Sequence, residues 1–345
     1  MKNRWNWALT ILMVFVTIAC DVTEPEDNSI PTTVQGTYIL CEGGWGNGDA
    51  SLWYSDSTFE VVYANVFNAL TGDDLGDLGQ SLYEHDDMLY IVLNASNKIE
   101  MIDLSGNIPV LAGSIALPGA SPREMAIIGD MAYVSAWYWA GLAVIDLTTN
   151  SVVDTIALGG LPEDVVASGS QLYVAMTTDE FWVADDRVLV VDVATHTVTD
   201  TLIVGNGPNQ LLLQNGQLYV SRQWYDDSGS QRGITKVDLN SGSITSQDWG
   251  AVGGTDIFII GEQVYAATGE GVVSVNPDLS IGDASYSGSL PVAYSAGTDG
   301  SHILIGSISD YESPGEVAVY EVDGMLVKTF SVGMIPGSIL TYARR

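Results

Sequence analysis

The sequence contains few cysteines and few basic residues. Only two of its 345 residues are cysteines, Cys20 and Cys41, so no disulfide framework can stabilise the fold. Lysine and arginine number 11 against 43 aspartates and glutamates, which gives a net charge of −32. This balance disfavours nucleic acid as a partner, because phosphate contacts depend on clustered basic side chains. We attribute the acidity to solubility rather than to a cationic ligand.

The sequence also lacks an N-terminal apolar run long enough to cross a bilayer, which takes roughly 20 residues. The run Ala8–Ile18 spans about 11 residues, follows two basic residues and precedes a small residue. This order is typical of a secretory signal. Residues 17–20 (TIAC) resemble a bacterial lipobox, which implies lipidation of Cys20. We therefore assign residues 1–20 to a lipoprotein signal peptide, with a plain secreted protein as the alternative.

The segment after the signal peptide differs in composition from the rest of the chain. Residues 21–35 are acidic, contain two prolines and show no periodicity, so we expect a flexible tether. Residues 36–345 are predicted to form one folded domain. Cys41 lies in an apolar strand pattern and is predicted to be a buried apolar residue. The expected location is the outer membrane, on either its cell-surface or its periplasmic side.

A unit of four short strands, here named A to D, recurs seven times along residues 36–345. Strand A follows a turn marked by Pro or Gly, strand B contains Tyr, strand C ends in an aliphatic–Asp pair, and strand D is rich in Thr and Val. Successive B strands start 39 to 52 residues apart. Such runs predict strands, and no segment shows a helical period, so no helices are expected. Four strands per repeat predict a propeller blade, whereas a stacked solenoid fits this count poorly.

The two ends of the domain predict a closed ring. The folded part begins with a B strand at residues 36–42 and finishes on an unpartnered A strand at residues 336–342. Pairing between them would complete the first blade and remove an exposed sheet edge. The prediction is an all-β, seven-bladed β-propeller closed by pairing of the C-terminal strand with the N-terminal blade.

The B strands also carry a family motif. Residues 133–136 (YVSA), 173–176 (YVAM) and 219–222 (YVSR) resemble the YVTN/YncE-like bacterial propellers. Residues 36–56 (GTYILCEGGWGNGDASLWYSD) are similar to propeller lipoproteins of Bacteroidetes-type bacteria. Some of those are surface-exposed cobalamin binders that partner an outer-membrane β-barrel transporter. The resemblance implies an envelope binding protein with a corrinoid ligand, although a shared fold is weak evidence of function.

Large aromatic residues concentrate in the B–C loops. In a propeller, the B–C and D–A connections share one face of the disc, here called the upper face, and the A–B and C–D turns share the other. Five of the seven tryptophans after residue 20 lie in B–C loops. Their clustering predicts a binding patch, the alternative being that each ring caps a neighbouring blade. The candidate ligand-binding rings are Trp45, Trp137, Tyr138, Trp139, Phe181, Trp182, Trp224, Tyr225 and Tyr311.

Polar and charged residues follow the D–A connections around the central channel. The candidate ligand-binding residues there, together with one from a B strand, are Arg123, Glu124, Asp164, Gln210, Asp256 and Arg222. Arginines grouped on one face of so acidic a chain predict a carboxylate, amide or phosphate on the ligand. Pairing of these arginines with nearby acids is an equally good explanation.

No residue is assigned a catalytic or metal-binding role, and no cofactor is expected. The strand order places all three histidines on or near the lower face: His85, His196 and His302. A Ser-His-Asp arrangement beside the aromatic loops is therefore not expected. The adjacent acids Glu163 and Asp164 suit a glycosidase only weakly. The acids of the long loop 65–79 match no calcium loop of defined spacing: Asp73, Asp74 and Asp77.

These observations favour a non-catalytic binding protein anchored to the envelope. Its upper face would capture a bulky ligand, by resemblance a corrinoid, and deliver it to an outer-membrane transporter. Two alternatives remain from the sequence. One is a protein–protein interaction scaffold at the envelope, and the other is a propeller hydrolase or lactonase.

Overall fold

The computed structural model describes residues 27–251, 255–268, 271–284 and 293–344. The predicted signal peptide, the lipidation site Cys20 and residues 21–26 of the predicted tether lie outside these ranges. The turns predicted at 253–254 and 290–291 also lie outside them. No helix within these ranges is long and apolar enough to cross a membrane.

The strands form seven four-stranded antiparallel sheets. The first seven are β1 (Gly36–Cys41), β2 (Ser51–Asp56), β3 (Val62–Tyr63), β4 (Gly79–His85), β5 (Met88–Leu93), β6 (Lys98–Asp103) and β7 (Val110–Ala116). The next eight are β8 (Pro122–Ile128), β9 (Met131–Ala136), β10 (Gly141–Asp146), β11 (Ser151–Ala157), β12 (Leu161–Ser168), β13 (Gln171–Thr178), β14 (Arg187–Asp192) and β15 (Thr197–Ile203).

The second half of the chain continues the same arrangement. Its strands are β16 (Pro208–Gln214), β17 (Gln217–Asp226), β18 (Gly229–Asp238), β19 (Ile244–Gly250), β20 (Ile257–Ile260), β21 (Gln263–Thr268), β22 (Gly271–Val275), β23 (Ile281–Ala284), β24 (Ala293–Thr298), β25 (His302–Ser307), β26 (Pro314–Glu321), β27 (Leu326–Met334) and β28 (Pro336–Tyr342). Blade 1 combines β28 with β1–β3, and blades 2 to 7 take the strands from β4 onward in consecutive groups of four.

The ring closes where the two ends of the domain meet. Strand β28 pairs antiparallel with β1, with Gly36 opposite Tyr342 and Thr37 opposite Thr341. The hydroxyl oxygens of the two threonines lie 2.9 Å apart. Strand β28 also contacts the A strands of the blades on either side, β24 and β4. The predicted seven-bladed propeller and its closure are confirmed.

The turn residues that marked the repeat have clear structural roles. The A–B turn of blade 5 places Asn215 and Gly216 at φ +50° and +75°, a conformation that two-residue hairpins favour. At the C–D turns, the aspartate that ends strand C accepts backbone N–H groups from the turn. Asp146 accepts one from Thr148 at 2.8 Å, and Asp238 accepts one from Asn240 at 2.9 Å. These bonds explain why the C strands of blades 1 to 5 end in aspartate.

The core lies between the faces of neighbouring blades. One cluster joins Tyr133 and Val144 of blade 3 to Val174 and Leu189 of blade 4, all of them buried. Each such side chain contributes about 1.5–3 kcal/mol when buried. Cys41 is buried and has no disulfide partner, as predicted. Stability therefore depends on adjacent blades packing together.

One short helix corrects the expectation of an all-strand chain. Helix α1 (Val66–Thr71) lies inside the long loop 65–79 and buries Val66 and Phe67. It contacts β2 of blade 1. At six residues the helix is too short for a helical period to appear in the sequence.

The described part of the predicted tether packs against blade 1. Val34 is 1% exposed, and its carbonyl accepts the hydroxyl of Tyr38 at 3.1 Å. The Gln35 carbonyl accepts the hydroxyl of Tyr54 at 2.7 Å, and the Asp27 carbonyl accepts the N–H of Ala64 at 2.8 Å. The contacts with the propeller therefore begin before residue 36, the predicted domain boundary.

Candidate functional site

All strongly exposed aromatic side chains among the described residues lie in B–C connections of the upper face. Six rings are between 63% and 75% exposed: Trp45, Tyr138, Phe181, Trp182, Tyr225 and Tyr311. Water disfavours so much exposed aromatic surface, and a concentration of it on one face marks an interaction site.

The rings fall into two groups rather than one continuous patch. Trp45 and Tyr311 belong to blades 1 and 7, where Tyr311 meets Tyr294 edge to face at 6.4 Å. The other four exposed rings belong to blades 3, 4 and 5. Blade 2 separates the groups on one side, because its B–C connection is the tight turn 94–97 without an aromatic residue.

Blades 3, 4 and 5 enclose a cleft of about 250 Å³, here called the aromatic cleft. Its lining residues are Arg123, Trp137, Glu163, Thr177, Thr178, Trp182, Ala184, Asn209, Gln223, Trp224 and Tyr225. Trp137 and Trp182 meet edge to face, with ring centroids 5.5 Å apart. The Arg123 guanidinium carbon lies 4.2 Å from the centroid of the Trp137 ring. The cleft thus combines aromatic walls with polar side chains, as small-molecule sites do.

The loop of blade 4 holds Trp182 in an unfavourable backbone conformation. Its φ is +64°, which is rare for a large side chain. The Asp179 carboxylate accepts N–H groups from Phe181 at 2.8 Å and from Val183 at 2.9 Å, which stabilises the turn around this tryptophan. A strained backbone conformation persists only where the surrounding structure holds it in place, and such conformations are concentrated at functional sites.

In blade 5 the aromatic residues lie on a strand, whereas the sequence predicted a loop. Strands β17 and β18 continue as a hairpin beyond the disc, with Trp224 opposite Gln231 and Tyr225 opposite Ser230. The alternation of a strand directs neighbouring side chains to opposite faces. Trp224 is accordingly half-buried and Tyr225 is 73% exposed, although both residues line part of the cleft.

The three rings of the blade 3 turn have different environments. Trp137 lines the aromatic cleft, and Tyr138 is 68% exposed. Trp139 packs against the core cluster between blades 2 and 3, which contains Val92 and Val134. Trp139 therefore caps neighbouring blades, the alternative that the sequence left open for each ring, and it lies outside the cleft.

Four side chains near the axis each join one blade to the next. The Asp164 carboxylate accepts the N–H of Leu211 at 2.6 Å, the Gln210 side-chain oxygen accepts that of Ile257, and Asp256 accepts that of Ala296 at 2.7 Å. The Ser338 hydroxyl accepts the N–H of Leu82 at 3.2 Å. We call the four accepting residues the axial ring: Asp164, Gln210, Asp256 and Ser338. Three of them were predicted to bind ligand, and in each of these three one side-chain oxygen accepts an N–H of the next blade.

The predicted ligand-binding arginines are paired inside the protein. Arg123 donates from Nε to Glu163 at 3.1 Å and from Nη1 to Gln80. Arg222 is 3% exposed and donates to Asp248 at 2.5 Å. Its guanidinium crosses Gly233, where an added Cβ would lie 2.6 Å from Nη2. Each of these two arginines thus has an acidic partner within the protein, and its contact with a ligand stays a prediction.

Burial at the axis raises the pKa of several carboxyl groups. Burial raises the pKa of Asp164 to about 7 although two N–H groups donate to it, and it raises that of Asp256 to about 6. Burial, with Asp164 and Glu163 nearby, raises the pKa of Glu124 well above its usual range. The upper end of the channel is thus lined by acids whose charged forms are disfavoured.

Sequence reasoning missed several residues of this region. Glu42 follows β1 directly and accepts the Tyr294 hydroxyl at 2.7 Å near the axis, while burial raises its pKa. Thr177 and Thr178 end strand β13, and both line the aromatic cleft. Their position in the repeat could have identified them, since each of these residues lies at the upper end of a B strand.

The acids of the long loop show no metal-binding arrangement. The Asp77 carboxylate accepts the N–H of Gly46 at 3.0 Å and so holds the loop that carries Trp45. Asp73 and Asp74 are exposed. Across the described ranges, no three His, Cys, Asp or Glu side chains form a group that could hold a metal ion.

The histidines lie at the lower turns, as the strand order predicted. His196 stands in the C–D turn of blade 4, with Nδ1 2.7 Å from the Asp154 carboxylate. His302 begins β25 after an A–B turn, with Nδ1 2.8 Å from Asp299. His85 ends β4 beside the A–B turn of blade 2. The aromatic cleft therefore has no histidine beside it among the described residues.

Comparison with known proteins shows the fold and does not assign the chain to a family. No family model matches the chain, and no curated protein matches it. Among solved structures, a 6-phosphogluconolactonase-like protein from Bacteroides fragilis is 12% identical, with 90% of this chain and 98% of that one covered and a TM-score of 0.63. A quinonprotein alcohol dehydrogenase-like protein from Bacteroides thetaiotaomicron is 14% identical, with 89% and 78% covered and a TM-score of 0.65.

BamB from Moraxella catarrhalis is a further similar structure. It is 14% identical, with 93% of this chain and 90% of that one covered and a TM-score of 0.54. At such identities the similarity shows a shared propeller scaffold. It does not show a shared ligand or reaction.

Proposed function

We propose that this chain is a non-catalytic binding protein of a bacterial envelope, and that the aromatic cleft captures a bulky, partly planar ligand. The observation that carries the proposal is the position of the exposed rings, all of which lie on the upper face of the described chain. Four of them surround or line the cleft of blades 3, 4 and 5. Aromatic side chains bury a large area at little conformational cost, which suits them to binding.

A corrinoid is the ligand that the family resemblance favours. A flat macrocycle with a polar fringe matches a cleft with aromatic walls and polar side chains between them. We propose that the chain passes this ligand to an outer-membrane transporter. The support for the transporter is the resemblance of residues 36–56 to propeller lipoproteins that act beside one.

Membrane attachment is proposed through Cys20. Its support is the order of residues 1–20, namely basic residues, an apolar run and the TIAC motif. Mass spectrometry of the mature protein tests it. A chain that starts at a lipid-modified Cys20 is expected, with Cys20→Ala released from the membrane fraction. A mature chain that starts elsewhere and carries no lipid would contradict the proposal.

Calorimetric titration tests the ligand. The full chain in mild detergent is titrated with cobalamin and with cobinamide, while tryptophan fluorescence is followed in parallel. Stoichiometric binding with quenching of the fluorescence is expected. The absence of heat up to high micromolar concentration would reject a corrinoid as the ligand.

An interaction scaffold is the second candidate, favoured by the rings outside the cleft. Trp45 and Tyr311 are 71% and 66% exposed on blades 1 and 7, where they do not line the cleft. A protein partner broad enough to span the disc would cover both groups of rings. A photo-crosslinking residue at position 45 in living cells should then capture one defined protein, and capture of none would count against the scaffold.

No catalytic step forms part of the proposal. The cleft has Arg123 and Glu163 paired with each other, and the described histidines stand at the opposite face. Assays of the full chain with lactone and glycoside substrates, with and without divalent metal ions, are expected to give no turnover. Turnover that a metal ion switches on would instead support the hydrolase alternative.

A further inference from the structure

The lower face carries most of its exposed aliphatic side chains on one side of the disc. Among the described residues, nine of the 14 exposed Ile, Leu, Val and Met side chains lie on the predicted tether or on the C–D turns and first D-strand residues of blades 7, 1 and 2. The lower turns of blades 3 to 6 carry two, Val198 and Ile244. Blade 1 lies between blades 7 and 2, because β28 contacts β24 and β4. The nine side chains therefore occupy three consecutive blades.

Six of these side chains define what we call the apolar rim. They are Met325 and Leu326 of blade 7, Val61 of blade 1, Ile30 of the tether, and Ile108 and Val110 of blade 2. Met325 is 61% exposed and Val110 is 52% exposed. Single exposed aliphatic residues are common on soluble proteins, whereas a concentration of them on one side marks a contact surface.

The tether reaches the propeller on this same side. Asp27 pairs with Tyr63 in the outer strand of blade 1, and its carbonyl accepts the N–H of Ala64 at 2.8 Å. The chain from Cys20 to Asp27 spans at most about 25 Å when fully extended. A lipid on Cys20 therefore holds the outer strand of blade 1 within about 25 Å of the bilayer surface. The length of the free chain thus brings the apolar rim close to the membrane.

The charges around the apolar rim suit a zwitterionic bilayer surface. The exposed Arg344 guanidinium donates to the carbonyls of Leu104 and Ser105 in the C–D turn of blade 2, at 3.2 Å and 2.7 Å. The Lys328 ammonium lies 3.4 Å from Glu60, between blades 7 and 1. These two cations can contact lipid phosphates, while the acids that end the C strands of the same blades repel a strongly anionic surface.

We propose that the apolar rim rests on the bilayer that holds the Cys20 lipid, with its aliphatic side chains at headgroup level and the upper face directed away from the membrane. This inference rests on the proposed attachment through Cys20, and it adds which side of the propeller the membrane contacts. The aromatic cleft of blades 3, 4 and 5 then lies on the side of the disc opposite the lipid, where a ligand can reach it.

Single cysteines labelled with the environment-sensitive dye NBD test the contact. The lipidated full chain is reconstituted in vesicles of phosphatidylcholine and phosphatidylethanolamine. Leu326→Cys and Val110→Cys place the dye on the apolar rim. Ile244→Cys is the matched control on the lower face of blade 5, and Phe181→Cys places the dye on the upper face. The other thiols are lipidated or, at Cys41, buried and unreactive.

Brominated phosphatidylcholine quenches only dyes that contact the bilayer. In vesicles that contain it, the dyes at positions 326 and 110 are expected to lose emission relative to otherwise identical vesicles without bromine. The dyes at positions 244 and 181 should keep theirs. Equal quenching at all four positions, or no quenching at positions 326 and 110, would overturn the inference.

Charged substitutions test whether the aliphatic side chains make the contact. Met325→Glu together with Leu326→Glu should reduce the quenching of a dye at position 110, because a carboxylate resists transfer out of water. Val198→Glu together with Ile244→Glu adds the same charge to the other side of the lower face and should leave that quenching unchanged. Since all four side chains are exposed, the variants should fold, and thermal melts check this. Equal quenching in both double variants would contradict the proposed contact.

The Cys20→Ala chain separates failure of this inference from failure of the proposed attachment. If mass spectrometry finds lipid on Cys20 and the rim dyes escape quenching, only the inference fails. If the mature protein carries no lipid and brominated vesicles still quench the rim dyes of Cys20→Ala, the attachment fails and the membrane contact stands. Absence of both lipid and quenching contradicts both. Rim dyes already shielded from water in Cys20→Ala without vesicles would assign the rim to a second copy of the chain and overturn the inference.

Discussion

The aromatic cleft and the axial ring lie side by side on the upper face but differ in what their side chains contact. In the axial ring, Asp164, Gln210 and Asp256 accept backbone N–H groups of the next blade. In the aromatic cleft, Trp182 and Tyr225 remain largely exposed. Upper-face residues near the axis thus hold neighbouring blades together, whereas upper-face residues farther from the axis are free to contact a ligand.

The difference follows from the geometry of a propeller. Near the axis, neighbouring A strands are close enough for one side chain to reach the next backbone, so polar residues there are bonded between blades. Farther out the blades diverge, and the B–C connections of adjacent blades enclose a space between them. Polar residues at a propeller's axis are therefore weaker evidence for a ligand than aromatic residues on its B–C connections.

The largest expected effects distinguish two rings of one turn. Trp139→Ala should lower the free energy of unfolding by about 2–4 kcal/mol, because its ring packs against the core cluster of blades 2 and 3. Trp137→Ala should leave unfolding nearly unchanged and weaken ligand binding by about 1–3 kcal/mol, as should Trp224→Ala. Urea denaturation and calorimetric titration measure the two quantities. If Trp137→Ala instead lowered stability at unchanged affinity, its ring would be a structural cap.

Two adjacent residues in blade 5 offer a similar contrast. Gln210→Ala removes the acceptor of the Ile257 N–H, so we expect about 2 kcal/mol less stability and unchanged affinity in the folded protein. Asn209→Ala alters a residue that lines the cleft, and about a tenfold loss of ligand affinity is expected with little change in stability. Reversed outcomes for the pair would remove the distinction between ring and cleft.

The buried acids of the axial ring should make the folded protein less stable as the pH rises. The folded-state pKa values of Asp164 and Asp256, about 7 and about 6, lie above those of the unfolded chain. The folded protein then binds more protons than the unfolded chain between about pH 4 and 7, so stability falls as pH rises through that range, by at most about 1.4 kcal/mol per pH unit for each group.

Urea denaturation at pH 5 and pH 8 measures this dependence. Asp256→Asn should reduce it, because the substitution removes one of the axial groups whose pKa burial raises. Asp226→Asn, which alters an exposed acid of the blade 5 hairpin, should keep the wild-type dependence. A wild-type protein that is more stable at pH 8 than at pH 5 would show that the axial acids do not dominate.

The smallest effect is expected from the second group of rings. Replacing Trp45 and Tyr311 together by alanine should change cobinamide affinity by less than about twofold, because distant sites act independently. Calorimetric titration of the double variant checks this. A loss of cobinamide affinity as large as that caused by Trp137→Ala would show that both groups of rings belong to one binding site.

The repeat could be predicted from the sequence because its signals are local. Turn residues such as Asn215 and Gly216, and the aspartates that end the C strands, act within a few residues of their own position. Ring closure followed from the unpaired A strand at residues 336–342. Helix α1 could not be predicted in this way, since it has only six residues and is held by contacts with blade 1.

The site was predicted only in outline. The concentration of rings on the upper face is visible in the sequence. The sequence does not show that Trp137 lines the cleft while Trp139 packs against the core, because this depends on the orientation of each ring. The bond from Leu211 to Asp164 joins residues 47 positions apart. No local sequence pattern marks such a distant partner. An acid that bonds to the next blade therefore cannot be told from a ligand-binding acid by sequence alone.

Hydrogen exchange of the full chain with and without cobinamide shows where the ligand binds. If the aromatic cleft binds it, exchange slows in the B–C connections of blades 3, 4 and 5, at residues 137–140, 179–186 and 223–231, with no change in the lower turns. Protection confined to residues 44–49 and 309–313, or to the lower face, would contradict the assignment of the aromatic cleft as the binding site.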